Sequence, residues 1–175
     1  MPAELFGTDE LKRIIDQMAV TLDGQPDGVA IAAPQVGISY RIFVVRYDRT
    51  KTREERAAET ADETATPDIG VFINPQFVNS SRRRVEMDEG CLSVRGLYGT
   101  TLRHERATVR AHDVDGNTFE RGGGGLVAQI YQHETDHLDG LLFIDHAEHI
   151  VQVRRTEEGK LEEVPVDDLD AALEH

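Results

Sequence analysis

Positive charge is scarce in this chain. Lys12, Lys51 and Lys160 are its only lysines, and 33 acidic residues against 19 basic ones leave a formal net charge of −14. Such a surface repels a nucleic-acid backbone or an anionic membrane, so neither DNA nor a membrane is expected as a partner. Cysteine is limited to Cys91, which excludes an intrachain disulfide and leaves nothing to suggest an oxidising compartment. No apolar run approaches the ~20 residues of a membrane-spanning helix. The amino terminus lacks the basic-then-apolar pattern of a secretory signal. These absences point to a cytoplasmic location. The 175 residues are 39% hydrophobic, enough for a single domain to bury a core without disulfide or metal staples.

Thr8, followed by Asp9 and Glu10, has the form of a helix N-cap with an acidic first turn. Leu11, Ile14, Ile15, Met18 and Leu22 keep helical spacing until Gly24. Residues 28–37 are rich in small side chains and are expected to be irregular, and Arg41 to Tyr47 predicts a strand. Residues 51–68 lack large apolar side chains and are expected to form a surface excursion between strands. Val71-Phe72-Ile73 predicts a strand stopping at Asn74-Pro75, and Arg83 to Met87 another. Asp115-Gly116 marks a hairpin between Arg106–Val114 and a returning strand at 118–121. The glycines 122–125 read as a flexible entry to a helix over Leu126–Leu138, which Gly140 is placed to cap in a left-handed conformation. Leu141 to Ile144 is expected to pack back on the sheet. The catalytic unit is expected within residues 1–150, with 151–175 an acidic tail carrying a short helix from Asp167.

The chemistry concentrates in Gln132-His133-Glu134-Thr135-Asp136-His137. His133 and His137 lie four residues apart on the expected helix, so both imidazoles project from one face and can reach a single cation. Glu134, beside the first histidine, has the position of a general base. A catalytic site of this kind takes a third protein ligand and leaves a position open for water. Cys91 is the outstanding candidate, since a bound cation holds a thiol as thiolate. A buried apolar role for a lone cysteine, and a nucleophilic one with a histidine base, are the competing readings.

Three stretches, in order, resemble the signature motifs of the peptide deformylase family: Gly28-Val29-Ala30-Ile31-Ala32-Ala33-Pro34-Gln35, Glu89-Gly90-Cys91-Leu92-Ser93 and Gln132-His133-Glu134-Thr135-Asp136-His137. The resemblance runs from about Leu11 through Asp145. It implies an α+β fold of small, mostly antiparallel sheets packed around a central metal-binding helix. It implies Cys91, His133 and His137 as ligands of one divalent cation per chain. Fe2+ is the expected native ion, with Zn2+, Ni2+ and Co2+ as substitutes. Glu134 is then the general acid/base, while the Gln35 side-chain amide and the Leu92 backbone N–H receive the oxyanion. The implied reaction is removal of the N-formyl group from formyl-methionyl peptides of nascent proteins by metal-activated water. Gly28, Val29, Gly90, Leu126 and Ile130 are implied as substrate-binding residues. Glu89 and Arg103 match a structural ion pair, and Gln132 and Asp136 are expected to orient the helix and its ligands. Nascent chains are the implied partners, which leaves room for a transient association with the ribosome.

This chain departs from the family pattern at Ala30, where a second glycine is usual, and at Arg95 and Leu102, where prolines are common. Ala30 motivates a second reading, a related metallo-amidase with a different acyl or non-ribosomal substrate. A zinc endopeptidase rests on His-Glu-x-x-His alone, and an upstream cysteine ligand counts against it. A metal-loaded peptide-binding protein without catalysis would need neither Glu134 nor Gln35.

Overall fold

The computed structural model describes residues 1–51, 68–156 and 158–173. Thr8 caps α1 (Asp9–Asp23): its hydroxyl oxygen accepts from the Leu11 N–H at 3.2 Å, and Asp9 and Glu10 occupy the first turn, where carboxylates favour the helix dipole. The periodic residues Leu11, Ile15, Met18 and Leu22 are buried and pack on Ile31, Ile42, Val44 and Ile73.

Among the described residues two antiparallel sheets carry the fold. The first joins β1 (Ala30–Ala32), β2 (Ile42–Arg46), β3 (Ile69–Ser80), β6 (Arg106–His112) and β7 (Thr118–Gly124) in the order β1-β2-β3-β6-β7. The second joins β4 (Arg84–Gly90), β5 (Leu97–His104), β8 (Glu148–Arg155) and β9 (Leu161–Pro165) in the order β4-β5-β8-β9. A short helix α2 (Tyr47–Thr50) follows β2, and α3 (Gly125–Leu138) lies on the first sheet. There Ile130 and Tyr131 join Phe43, Phe72 and Val109 in the main core. Phe43 and Phe72 stack with centroids 4.6 Å apart, and the buried hydroxyls of Tyr47 and Tyr131 satisfy each other at 2.6 Å. The architecture is the expected α+β arrangement.

Four segments depart from the expected outline. The strand begun at Val71 does not stop at Asn74-Pro75 but runs on to Ser80. It does so through a bulge in which the step from Ile73 to Gln76 opposes only His112 to Arg110. Asn74 takes the left-handed conformation there (φ 49), and a bulge is where a strand tolerates proline. The glycines are not a flexible entry: Gly122, Gly123 and Gly124 pair with Thr108, Ala107 and Arg106 as the end of β7. A Cβ on Gly123 would meet Val127 Cγ1 at 2.3 Å, so the bare backbone lets α3 fold directly back on its own strand. Residues 28–37 hold β1 and a 3-10 turn at Ala33–Val36. The acidic segment after residue 150 contains the end of β8, all of β9 and the short helix α4 (Leu169–Leu173). Residue 150 itself lies inside β8. The excursion expected over 51–68 falls almost wholly outside the described residues. Gly140 is left-handed as expected (φ 80), and Phe143 and Ile144 are buried in a 3-10 turn.

Candidate metal centre and active site

Cys91 follows directly on β4, while His133 and His137 stand one turn apart on α3. The two elements bring Cys91 Sγ and one nitrogen of each imidazole within 4.8 Å of one another. Cys91 Sγ lies 3.1 Å from His137 Nε2, which lies 3.1 Å from His133 Nε2. The rings meet edge to face, at 89°. Three donor atoms converging on one point, one a thiol and two imidazoles, fit a tetrahedral or five-coordinate divalent ion of the iron, cobalt, nickel or zinc type.

The ligands are braced from behind by a buried carboxylate. Glu89, the last inward residue of β4, accepts from Arg103 Nε at 2.6 Å and Nη2 at 2.9 Å, and from Thr101 Oγ1 at 2.8 Å. Its second oxygen lies 3.1 Å from His133 Nδ1, which fixes the ring so that Nε2 faces Cys91 and His137. Arg103 also donates to Asp136 Oδ2 at 2.6 Å, tying sheet to helix. Burial alone would raise the Glu89 carboxyl, but the Arg103 and His133 hydrogen bonds hold it well below the usual carboxylate range. The expected Glu89–Arg103 ion pair is therefore present, and it reaches the metal cluster through His133. Gln132 orients the helix instead by bridging the His104 backbone, accepting from its N–H at 2.9 Å and donating to its carbonyl at 3.0 Å.

Burial would also raise the Cys91 thiol, yet His133 and His137 bring it down to about 5. Burial would lower His133, yet its bonds to Cys91 and Glu89 push it up to about 10. At about pH 7 the cluster thus offers a thiolate but keeps a proton on His133, and a cation must displace that proton. Since the metal-free state holds the extra proton, raising the pH favours binding. The expected result is net release of protons on binding, with affinity rising as the pH is raised toward the His133 value. Calorimetry in buffers of different ionisation enthalpy measures both.

Glu134 shares the cluster's side of α3. It is 4% exposed, its Oε2 has no hydrogen-bond partner, and burial pushes its carboxyl up to about 7. The neighbouring histidines oppose that rise. A buried, unpaired carboxyl poised near neutrality can both accept and return a proton. Across from it, Gln35 Oε1 accepts from the Ala32 N–H at 2.8 Å, which settles the orientation of the amide. Its Nε2 then donates to Ser93 Oγ at 2.9 Å and approaches Cys91 Sγ at 3.6 Å. Cys91 to Val94 forms a turn closed by the Val94 N–H on the Cys91 carbonyl at 3.2 Å, a hydrogen bond that leaves the Leu92 N–H outside it.

These groups open on a cleft of about 370 Å³ lined by Gly28, Val29, Ala30, Gln35, Gly90, Cys91, Leu92, Leu126, Ile130, His133 and Glu134, with Asp27, Arg95 and Tyr98 among others. Every site residue expected from the sequence is thus gathered in one place, His137 through its contacts with the other two ligands. Ile130, at 4% exposure, serves core and cleft together, whereas Leu126 is 40% exposed at the rim. Gly28 is required by packing, since a Cβ there would lie 2.9 Å from Leu22 Cδ1. Sequence reasoning missed Ser93 as the partner of Gln35 and Glu89 as the partner of His133. Alternation along β5, where Leu97, Gly99, Thr101 and Arg103 face inward, was the available signal that a buried arginine needs a buried carboxylate.

The polypeptide deformylase family profile matches residues 1–153. The chain belongs to the peptide deformylase family. It is 41% identical to the peptide deformylase of Salinibacter ruber over 139 residues, covering 79% of this chain and 69% of that one. It is 42% identical to peptide deformylase 2 of a Nostoc species over 138 residues, covering 79% and 72%. Among solved structures, a class I type b peptide deformylase from Acinetobacter baumannii with Met-Ala-Ser bound superposes with a TM-score of 0.69 at 32% identity, covering 83% of this chain and 87% of that one. The same enzyme with actinonin bound gives 0.69 at 32% identity, covering 85% and 87%. The family's metal-dependent hydrolytic chemistry matches the Cys91, His133 and His137 cluster. No helix among the described residues is long and apolar enough to cross a membrane.

Proposed function

We propose that residues 1–150 carry a deformylase that hydrolyses the formamide of N-formylmethionyl peptides, with Cys91, His133 and His137 holding ferrous iron in the cell and zinc, nickel or cobalt as substitutes. The supporting observation is the ligand cluster with the unpartnered Glu134 oxygen beside it. Cys91, His133 and His137 would hold the divalent cation, which when bound would supply Lewis acidity to a water molecule and to the formyl carbonyl. Glu134 takes the proton of the attacking water and hands it to the leaving amine nitrogen, so that formate and a free amino terminus depart. Charge develops on the formyl oxygen in between. The Gln35 Nε2, released from Ser93, and the Leu92 N–H are the donors that meet it. Gly28, Val29 and Gly90 line the peptide's path, while Leu126 and Ile130, with Val29, offer the methionine side chain an apolar wall. Nascent chains in the cytoplasm are the substrates, met in a transient association with the ribosome.

Formate release from formyl-Met-Ala-Ser tests this, using protein loaded separately with iron(II), nickel(II) and zinc(II). Turnover should vanish in Cys91→Ala. No formate with any metal, despite one bound ion per chain, would sink the proposal. Ala30 supports a second reading: it is 7% exposed and is one of the residues lining the cleft, where the family usually has glycine. A related metallo-amidase with another acyl substrate would prefer formyl-methionyl over acetylated peptides by less than about tenfold, ~1.4 kcal/mol in transition-state binding.

A further inference from the structure

The segment between α1 and β1 forms one wall of the cleft, through Asp27, Gly28 and Val29, yet it belongs to neither element. Most of its side-chain anchorage comes from one guanidinium. Arg49, on α2, donates through Nη1 to the carbonyls of Gly28 at 2.7 Å, Gln25 at 2.9 Å and Leu22 at 3.2 Å. Its side chain is only 22% exposed. Its Nη2 reaches Asp23 Oδ1 at 3.3 Å, and Asp23 is shared with Arg46, which also binds Asp48. The Arg46 N–H takes the next carbonyl, that of Val29, at 2.8 Å. From the facing wall, Arg95 Nη2 donates to the side chain of the same Gln25 at 2.6 Å.

We propose that Arg49, with Arg95 as its counterpart across the cleft, is a positioning residue that sets cleft width and the attitude of the Gly28–Val29 peptide, and thereby selectivity for the substrate's first side chain. A trans peptide unit is planar, so its C=O and N–H point in opposite directions. Fixing the Gly28 carbonyl on Arg49 turns the Val29 N–H away from Arg49. The Val29 side chain, part of the methionine wall, follows the same peptide plane. No contact from Arg49 to a ligand of the cation or to Glu134 is involved, so the effect falls on binding rather than on the chemical step. The inference rests on the deformylase reading above.

The test compares Arg49→Met, Arg49→Lys and Arg95→Ala in the metal-loaded full chain. Substrates are formyl-Met-Ala-Ser and formyl-Ala-Ala-Ser. In Arg49→Met, KM for the methionyl peptide should rise about fivefold or more while kcat falls far less, and the Met-over-Ala preference should drop by a similar factor. Arg49→Lys should recover part of the preference, and Arg95→Ala should lower it without touching the buried anchor. Hydrogen exchange gives a readout independent of turnover: the Gly28 N–H, which donates to the Gln25 carbonyl at 3.0 Å, should exchange faster in Arg49→Met. Unchanged KM and preference in both Arg49→Met and Arg95→Ala overturn the proposal, even if thermal stability falls. If Arg49→Met does not fold, the lysine and Arg95→Ala variants decide. If the wild type releases no formate, the deformylase reading fails on its own; Gly28 exchange and calorimetric binding of Met-Ala-Ser then decide the clamp, and no change in either overturns it.

Discussion

Glu134→Gln should lower formate release by roughly 10²–10⁴-fold, the range typical of a lost general acid/base, while one cation per chain still binds. Glutamine has the carboxylate's shape but cannot carry the proton from water to amine. The same change should leave thermal stability intact or raise it above neutral pH, because an ionised carboxylate buried without a partner costs more folding free energy than a neutral amide in the same place. Glu134 is an investment in chemistry at the expense of the fold. Activity, bound metal and melting temperature, measured side by side, separate the two effects. Turnover within about tenfold of wild type would remove Glu134 from the proton path.

Arg103→Leu is the change expected to cost most in stability. Arg103 and Glu89 have side chains 8% and 2% exposed, and deleting the guanidinium strands Glu89 and frees Asp136. Breaking a buried pair from one side costs about 3–5 kcal/mol, which for a domain of this size lowers the melting temperature by roughly 6–20 °C. Adding Glu89→Gln should return much of the loss, because the stranded charge goes with it. The pH dependence has a definite sign. Glu89 is depressed from its ordinary value of 4.5, so its contribution is present above that value and is lost as the pH falls below it. Arg103→Leu should therefore flatten the acid limb of the stability profile. Loss of the brace on His133 should also weaken metal binding, since an imidazole's second nitrogen sets its orientation and basicity.

The site was the most legible part of this chain, because its chemistry is written in short spacings. Two histidines four apart on a helix must share a face, and a glycine-flanked cysteine was the only thiol to consider. Helix α1 was equally open, with Thr8 at its start and apolar residues at helical intervals. What the sequence concealed depends on partners far along the chain. Asn74-Pro75 has the composition of a stop, but a bulge absorbs the proline and the strand continues. Four consecutive glycines suggest flexibility, yet Gly122 to Gly124 are strand backbone, and Gly123 is bare where Val127 approaches. Strands β8 and β9 have no buried residue, and β9 is acidic, so no clean alternation of buried and exposed positions announces them. The pairing of β8 with β5, and of β9 with β8, is visible only in three dimensions. Glu89 was expected as half of a structural ion pair with Arg103, but its second contact, to His133, emerged only when the fold set the two together.

The strand order of the second sheet has a consequence for synthesis. β5, which carries Arg103, lies between β4, its immediate predecessor in the chain, and β8, which begins at Glu148. From His104 to Glu148 are 44 residues (148 − 104), which at ~5–20 residues per second take roughly 2–9 seconds to translate. Through that interval the outer edge of β5 stands open with its backbone donors and acceptors unpaired, the arrangement that invites strand exchange between neighbouring chains. The β4–β5 hairpin must therefore persist as a half-built ribbon until its last neighbour emerges. Conditions that slow elongation between these two strands should show up as aggregation of newly made chains rather than as any defect in the finished protein.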